Sequence, residues 1–422
     1  MNRDPQRDDS GQYSRKILIS TIGTRGDVQP LLALALELRA LGHEPSLCVP
    51  PNFSEWVESF GLRCFPIGPD LRRFTAASAA SSPAKMKFSA KQARELAAGT
   101  VREQFRVLPE AARGCDLIVA ATALQLAARS VAEALNIPYV FVAYCPTVLP
   151  AIDHPPVAKQ GLRYPQWLPS IVNSVLWKID ERKVDSLFRT VLNDERAKLD
   201  LAAVDSVRRH IFTDRPWLAA DPALAPAAPG SRLQVVQTGA WFLSDQTPLP
   251  EDVERFLAKG EPPVYFGFGS MRAAEQTGRL LVEAARKAGR RAIISQGWGN
   301  LSLADADADC LSIGEVNHGK LFPRVAAIVH HGGAGTTTTA ATAGKPQVIV
   351  PHSYDQFYFS SRVRKLGVGV SCPPRERLTA DALVSALHEC LRPEMTLRAQ
   401  AFAKRIELHG ARLAAERLTL VK

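Results

Sequence analysis

Seven cysteines in 422 residues include no CxxC pair. Several sit inside apolar runs such as SLCVP and RCFPI. An odd, unpaired set of this kind excludes a disulfide framework and a zinc site, and reads as buried free thiols in a reducing cytoplasm. No apolar run approaches the roughly 18 residues a membrane-spanning helix requires. The opening MNRDPQRDDSGQYSR lacks the apolar centre of a signal peptide, so residues 1–15 are expected to be disordered and the protein cytoplasmic. Long basic runs are missing too. The net charge is +10, yet Lys and Arg are scattered beside acids, which argues against nucleic acid and leaves open peripheral contact with acidic membrane surfaces. Asp305 and Asp307 lie in the repeat ADADAD, a solvated turn and not a metal-binding acid pair.

What the chain does have is alternation. Apolar runs at KILISTIG (16–23), PSLCVP (45–50), RCFPIG (63–68), CDLIVAA (115–121) and PYVFVAYCP (138–146) are separated by helical stretches. This pattern predicts a parallel sheet with right-handed crossovers. Residues 70–98, rich in Ala, Ser and Lys, read as a surface loop followed by a helix near 100–113. The proline- and aromatic-rich stretch 147–177 reads as an irregular binding loop, with Trp167 an acceptor-wall candidate, or as a proline-stiffened surface loop. At 422 residues the chain exceeds one ordinary core. The Pro/Ala/Gly-rich DPALAPAAPGS (221–231) marks a boundary between an N-terminal unit (16–230) and a C-terminal one (231–422). VVQTGAWFL after it is a candidate first strand of the second half. There the alternation resumes at 264–270, 291–297, 310–316, 327–331, 347–351 and 367–372, and closing helices are expected at 379–391 and 394–418, the last able to pack back on the first unit. The expected fold is α/β, with two facing Rossmann-like doubly wound sheets and a cleft between them.

The densest signal is AIVHHGGAGTTTTAATAGKPQVIVPHSYDQ, Ala327 to Gln356. A short apolar strand breaks into a glycine turn and then a Thr/Ala helix. Glycines let backbone approach a phosphate, and free N–H groups with the helix dipole favour negative charge. A second strand carries Asp355 and Gln356 to the same edge, since open α/β sheets bind ligands at the carboxyl ends of their strands. A diphosphate at one end and hydroxyls at the other describe a sugar nucleotide.

The block HHGGAGT followed by AGKPQVIVP and DQ resembles the donor motif of the family 1 (GT-B fold) glycosyltransferases, in the group of bacterial antibiotic and sterol glucosyltransferases. The resemblance implies that His331 and Thr336 contact the diphosphate with Gly333 and Gly335, that Asp355 and Gln356 bind sugar hydroxyls, and that Ser270, Trp298 and Val316 complete the donor site. Close relatives often carry an acid and Trp where Gly319 and Lys320 stand, a departure on the base side. The loop GTRGDVQP (23–30) resembles the G-[ST]-R-G-D of the same group. Asp27 reads first as a helix N-cap before Pro30; the resemblance makes it the general base, and no plant-type histidine accompanies it. With an ordinary carboxylate pKa near 3.9 it is a weak base towards an alcohol. Thr24 and Tyr144 are acceptor-side candidates.

These readings describe an inverting, metal-independent enzyme with no cofactor. It moves a hexose, first choice glucose from UDP-glucose, to a hydroxyl of an apolar small molecule such as a sterol, terpenoid, polyketide or phenol. The alternatives are a dTDP-deoxysugar transferase and a non-catalytic auxiliary protein; the intact donor motif argues against the latter. A dehydrogenase fits less well, because FGFGSM lacks the third glycine and the acid of that fingerprint. A monomer or homodimer is expected.

Overall fold

The computed structural model describes residues 14–70, 89–157, 170–269, 275–296 and 308–421. Two parallel sheets organise the chain. The first contains β1 (Lys16–Thr21), β2 (Glu44–Val49), β3 (Arg63–Pro66), β4 (Leu117–Ala121), β5 (Tyr139–Ala143), β6 (Trp217–Leu218) and β7 (Val236–Gln237), in the order β3-β2-β1-β4-β5-β6-β7. The second contains β8 (Val264–Gly267), β9 (Ala292–Ser295), β10 (Cys310–Ile313), β11 (Ala327–His330), β12 (Gln347–Ile349) and β13 (Gly369–Ser371), in the order β10-β9-β8-β11-β12-β13. Ile17–Ile19, Leu117–Ala121 and Ala327–Val329 have no exposed surface, as expected of strands covered by helices on both faces.

Strand order reverses between β1 and β4 in one sheet and between β8 and β11 in the other. Open α/β sheets form their ligand crevices at such reversals. The loops GTRGD, FGFG and HHGG all lie there.

Six helices matter to the site and its surroundings: α1 (Arg25–Ala40), α2 (Ala90–Ala111), α3 (Ile171–Ala197), α4 (Ala334–Thr342), α5 (Gln356–Lys365) and α6 (Gly410–Leu418). Helix α6 packs on α1, and Arg15 ties it down by donating to the carbonyls of Leu418 (3.3 Å) and Val421 (2.6 Å). One apolar cluster joins Phe141 and Phe212 of the first half to Ile349, Phe359 and Val363 of the second. Across the same seam Arg362 donates to the carbonyls of Leu224 (2.8 Å) and Ala223 (3.2 Å).

Four boundaries differ from expectation. Helix α2 begins ten residues before 100, because Ser89 and Gln92 form a reciprocal capping box at its N-terminus and stabilise a first turn whose composition alone reads as loop. The stretch up to Trp177 is not irregular throughout: α3 starts at Ile171. There Trp177 is buried and donates to the His154 carbonyl at 3.0 Å, so it packs and does not wall a cleft. Val236–Gln237, expected to open the second half, pairs in parallel with β6 in the first sheet. The segment 394–418 is two helices, Pro393–Ala403 and Gly410–Leu418. Gly410 permits the second to abut the chain crossing between the halves; a Cβ there would lie 2.4 Å from the Ala240 carbonyl oxygen.

Candidate active site

Asp27 sits in the first turn of α1, not before it. Thr24 is the N-cap and Asp27 the third helical residue. Its Oδ2 accepts from the Thr24 backbone N–H (2.6 Å) and hydroxyl (3.1 Å). Among the described residues Oδ1 receives no hydrogen bond, which leaves one carboxylate oxygen anchored and the other available to a substrate hydroxyl. Gly23 makes the anchoring possible, since a Cβ at that position would fall 2.2 Å from Oδ2. From β5's end Tyr144 donates to the Asp27 carbonyl at 2.9 Å. Its hydroxyl is therefore committed to holding the α1 start, and Thr24's to the carboxylate; both expected acceptor residues position Asp27 as placed here. Desolvation pushes the Asp27 carboxyl up to about 6, against the lowering effect of its two bonds to Thr24.

Across the crevice, burial pushes Asp355 up to about 7, with the charge of Asp27 adding to the rise. Two carboxylates 328 positions apart in the chain thus sense one another. Arg25 bridges the same gap, pairing with Glu315 beyond β10 while its guanidinium lies 4.5 Å over the Trp56 ring.

The side expected to take the donor is built around His331. The Gly269 and Gly333 backbones flank its ring: a Cβ on Gly269 would meet Cε1 at 3.2 Å, and one on Gly333 would meet Nε2 at 2.6 Å. Two glycine turns, one from each strand at the reversal, cradle the imidazole. Desolvation lowers its pKa to about 4, and its Nδ1 is buried without a well-aligned hydrogen bond. The preceding His330 is fully buried, its ring edge-on to that of His331 with centroids 6.3 Å apart. Its Nδ1 accepts from the Gly332 N–H (3.1 Å), which makes Nε2 the donor to the Gln347 side-chain oxygen (2.9 Å). It holds the turn shape.

Helix α4 opens on Gly333, with Gly335 exposed and open space where a Cβ would stand. Of the four threonines 336–339, three donate back to carbonyls: Thr337 to Gly333 (2.8 Å), Thr338 to Ala334 (2.7 Å) and Thr339 to Gly335 (2.9 Å). Thr336 makes no such bond among the described residues. A first-turn hydroxyl without an internal acceptor is suited to an anion. Val316 turns its side chain into the second half's core beside Ile313 and Leu321, so only its backbone is offered to a ligand. Lys320 reaches the Gln246 carbonyl (2.6 Å).

Gln356 is buried, and its side-chain oxygen accepts from the N–H groups of His352 (2.8 Å) and Ser353 (3.1 Å). That atom locks the strand-to-helix turn, so a sugar hydroxyl would be read by the amide nitrogen and by Asp355. Tyr354, just before Asp355, adopts φ +55° with 65% of its surface exposed. His352 stacks on Phe268 with rings 5.7 Å apart, and both of its nitrogens are buried without partners. It lies within the 327–356 stretch, yet only the packing shows its surroundings: desolvation first, then the charge of Arg375 and the neighbouring His331 imidazole, hold its pKa down at about 3. Ser270, Trp298 and Trp167 lie outside the described residues.

Residues 17–152 match the glycosyltransferase family 28 N-terminal domain, and residues 304–411 the erythromycin biosynthesis protein CIII-like C-terminal domain. Over 405 residues the chain is 41% identical to the vancomycin aglycone glucosyltransferase of Amycolatopsis orientalis, spanning 96% of this chain and 97% of that one. The chain is a glycosyltransferase of this family. It is 38% identical over 392 residues to the dTDP-epi-vancosaminyltransferase of the same organism, covering 91% and 92% of the two chains. Among solved structures, the glycosyltransferase of kitacinnamycin superposes with a TM-score of 0.71 at 15% identity, over 96% of this chain and 98% of that one; this likeness places the glycosyltransferase in the GT-B fold. Among the described residues no helix is long and apolar enough to cross a membrane.

Proposed function

We propose that this glycosyltransferase moves a hexose, with inversion, from a nucleoside diphosphate sugar to a hydroxyl of an apolar natural product. Glucose from UDP-glucose is the first choice of donor. The observation that carries the reading is the divided carboxylate of Asp27, with Oδ2 held by Thr24 and Oδ1 left for a substrate, facing Asp355 across the crevice. As the acceptor oxygen attacks the anomeric carbon, Asp27 takes its proton and the bond to the diphosphate breaks. An ordinary aspartate would be a poor base here; burial, by lifting it to about 6, narrows the gap to the alcohol while leaving the group mostly ionised at neutral pH. Developing charge on the leaving diphosphate meets His331, Thr336 and the first-turn N–H groups of α4, preorganised donors that supply the stabilisation without a cation.

The donor base is the finer question. A glucosyltransferase and a dTDP-sugar transferase match the chain at 41% and 38% identity, so a dTDP-deoxysugar is the second reading. A thermal-shift comparison of UDP, dTDP and GDP with their sugars separates the two, because a ligand bound only to the native state raises the melting temperature. A shift with dTDP and none with UDP would replace the first choice; no shift with any nucleotide would overturn the reading as a whole.

Two further results are expected. His331→Ala should weaken binding of the free nucleoside diphosphate by roughly 10- to 100-fold, the worth of a hydrogen bond to a charged group; unchanged affinity in a calorimetric titration would remove His331 from the phosphate. The ratio kcat/KM should rise with pH through about 6, the value burial imposes on Asp27, as the base ionises. A profile flat across that region would assign the proton to another group.

A further inference from the structure

Helix α3 carries an uncovered stripe. Ile171, Val175 and Ile179, spaced four residues apart and so on one helical face, expose 65%, 50% and 50% of their surface. The same face continues through exposed Lys178, Arg182 and Arg189, with exposed Lys183 beside it. Three acids near the stripe are engaged by the neighbouring chain: Asp180 pairs with Arg208 at 2.5 Å, Glu181 accepts from Ser206 and Arg209, and Asp185 accepts from the Val207 N–H at 2.8 Å; Asp194, near the far end of the helix, is exposed. Lys178, Arg182 and Lys183 form no ion pair among the described residues. Alongside packs α2, with Leu96 55% exposed and Lys91 and Arg94 exposed around it; Glu95 is the exposed acid in that turn.

The stripe has a defined position relative to the chemistry. Asn173 donates to the Ile152 carbonyl at 2.8 Å and Trp177 to that of His154. This anchors the apolar end of α3 to the chain leaving β5, the strand whose Tyr144 holds Asp27. Ile152 itself is 38% exposed.

We propose that this face docks the enzyme on an anionic lipid surface, with Ile171, Val175 and Ile179 in the headgroup boundary and Lys178, Arg182 and Lys183 on the acidic headgroups. Branched aliphatics backed by unpaired cations on one helical face are the chemistry of an interfacial helix, and the chain's charge of +10 has the complementary sign. Docking there brings the acceptor side of the crevice to the phase in which an apolar acceptor dissolves. The inference goes beyond the proposed transfer and does not depend on which nucleotide is used.

Sedimentation of the full chain with vesicles tests it, using phosphatidylcholine alone and phosphatidylcholine mixed with phosphatidylglycerol. Binding is expected to the mixed vesicles at low salt and to fade as ionic strength rises. The triple variant K178E/R182E/K183E should lose roughly 100-fold or more in partitioning. I171S/V175S/I179S should lose roughly tenfold or more to the same vesicles. Both variants, being changed only at exposed positions, should keep the wild-type melting temperature and its nucleotide-induced shift. Equal sedimentation of the wild type and both variants would overturn the proposal. So would light scattering that shows a dimer dissolved by I171S/V175S/I179S, which would make the stripe a contact between two copies.

Discussion

Asp27→Asn should reduce transfer by roughly 10³-fold, within the range expected for a general base, and at pH 8 it should make the enzyme more stable. The second half follows from linkage. The carboxyl titrates near 3.8 when unfolded and at about 6 in the native protein. The unfolded chain therefore ionises first, and native stability falls as pH rises from about 4 to 6, after which the loss is constant. A shift of this size, discounted for the accessible face of the side chain, corresponds to on the order of 2 kcal/mol. Asparagine removes the penalty and still offers an oxygen to the Thr24 N–H, so the capping box survives. The gain should be full above pH 6 and gone near pH 4. Denaturant midpoints at the two extremes read the stability, and single-turnover transfer reads the chemistry. Full activity in the variant would leave Asp27 as a cap and nothing more. Activity lost together with stability at pH 8 would instead point to a damaged α1 start.

The second large effect is acid lability. Five histidines are held far below their usual value, chiefly by burial: His210, His318 and His331 at about 4, His330 and His352 at about 3. In an unfolded chain they take up protons near 6.5. As pH falls from about 6.5 towards 4, the unfolded state binds these protons and the native state does not, so stability drops. Asp27 and Asp355, raised to about 6 and about 7, act in the opposite direction, binding protons first in the native state. Five against two leaves a net uptake of about three protons on unfolding, a slope near 4 kcal/mol per pH unit. Against a typical stability of about 5–15 kcal/mol, cooperative unfolding is expected within a few pH units below 6.5. Tryptophan fluorescence against pH gives the midpoint, and urea unfolding at several pH values gives the slope. His330→Gln should flatten that slope by about one proton, and Asp27→Asn should steepen it. A slope indifferent to both would mean these groups titrate normally in the native protein.

Much of this enzyme was legible from local pattern. Buried parallel strands are continuous apolar runs, so the alternation with helices, the two sheets and the 327–356 motif could be read directly. A phosphate site made of a strand, a glycine turn and a helix N-terminus is contiguous in the chain, and its ingredients therefore appear side by side. Where local composition is ambiguous, longer-range contacts decide the element. Polar alanine-rich residues 90–98 become helix through the Ser89–Gln92 box, and Val236–Gln237 joins the first sheet because only pairing partners decide which sheet a two-residue strand enters.

The residue types of the site, and the strand ends they occupy, follow from the sequence by itself. Their working states come from tertiary structure. The pKa of Asp27 depends on desolvation, and its two oxygens are distinguished by Thr24 alone. Tyr144 reaches its carbonyl from 117 positions away. Three of four adjacent threonines are silenced by helical carbonyls and one is left open. His352 enters the crevice only by stacking on Phe268. Each is a matter of burial or of contact between distant segments, and a linear pattern carries no measure of either.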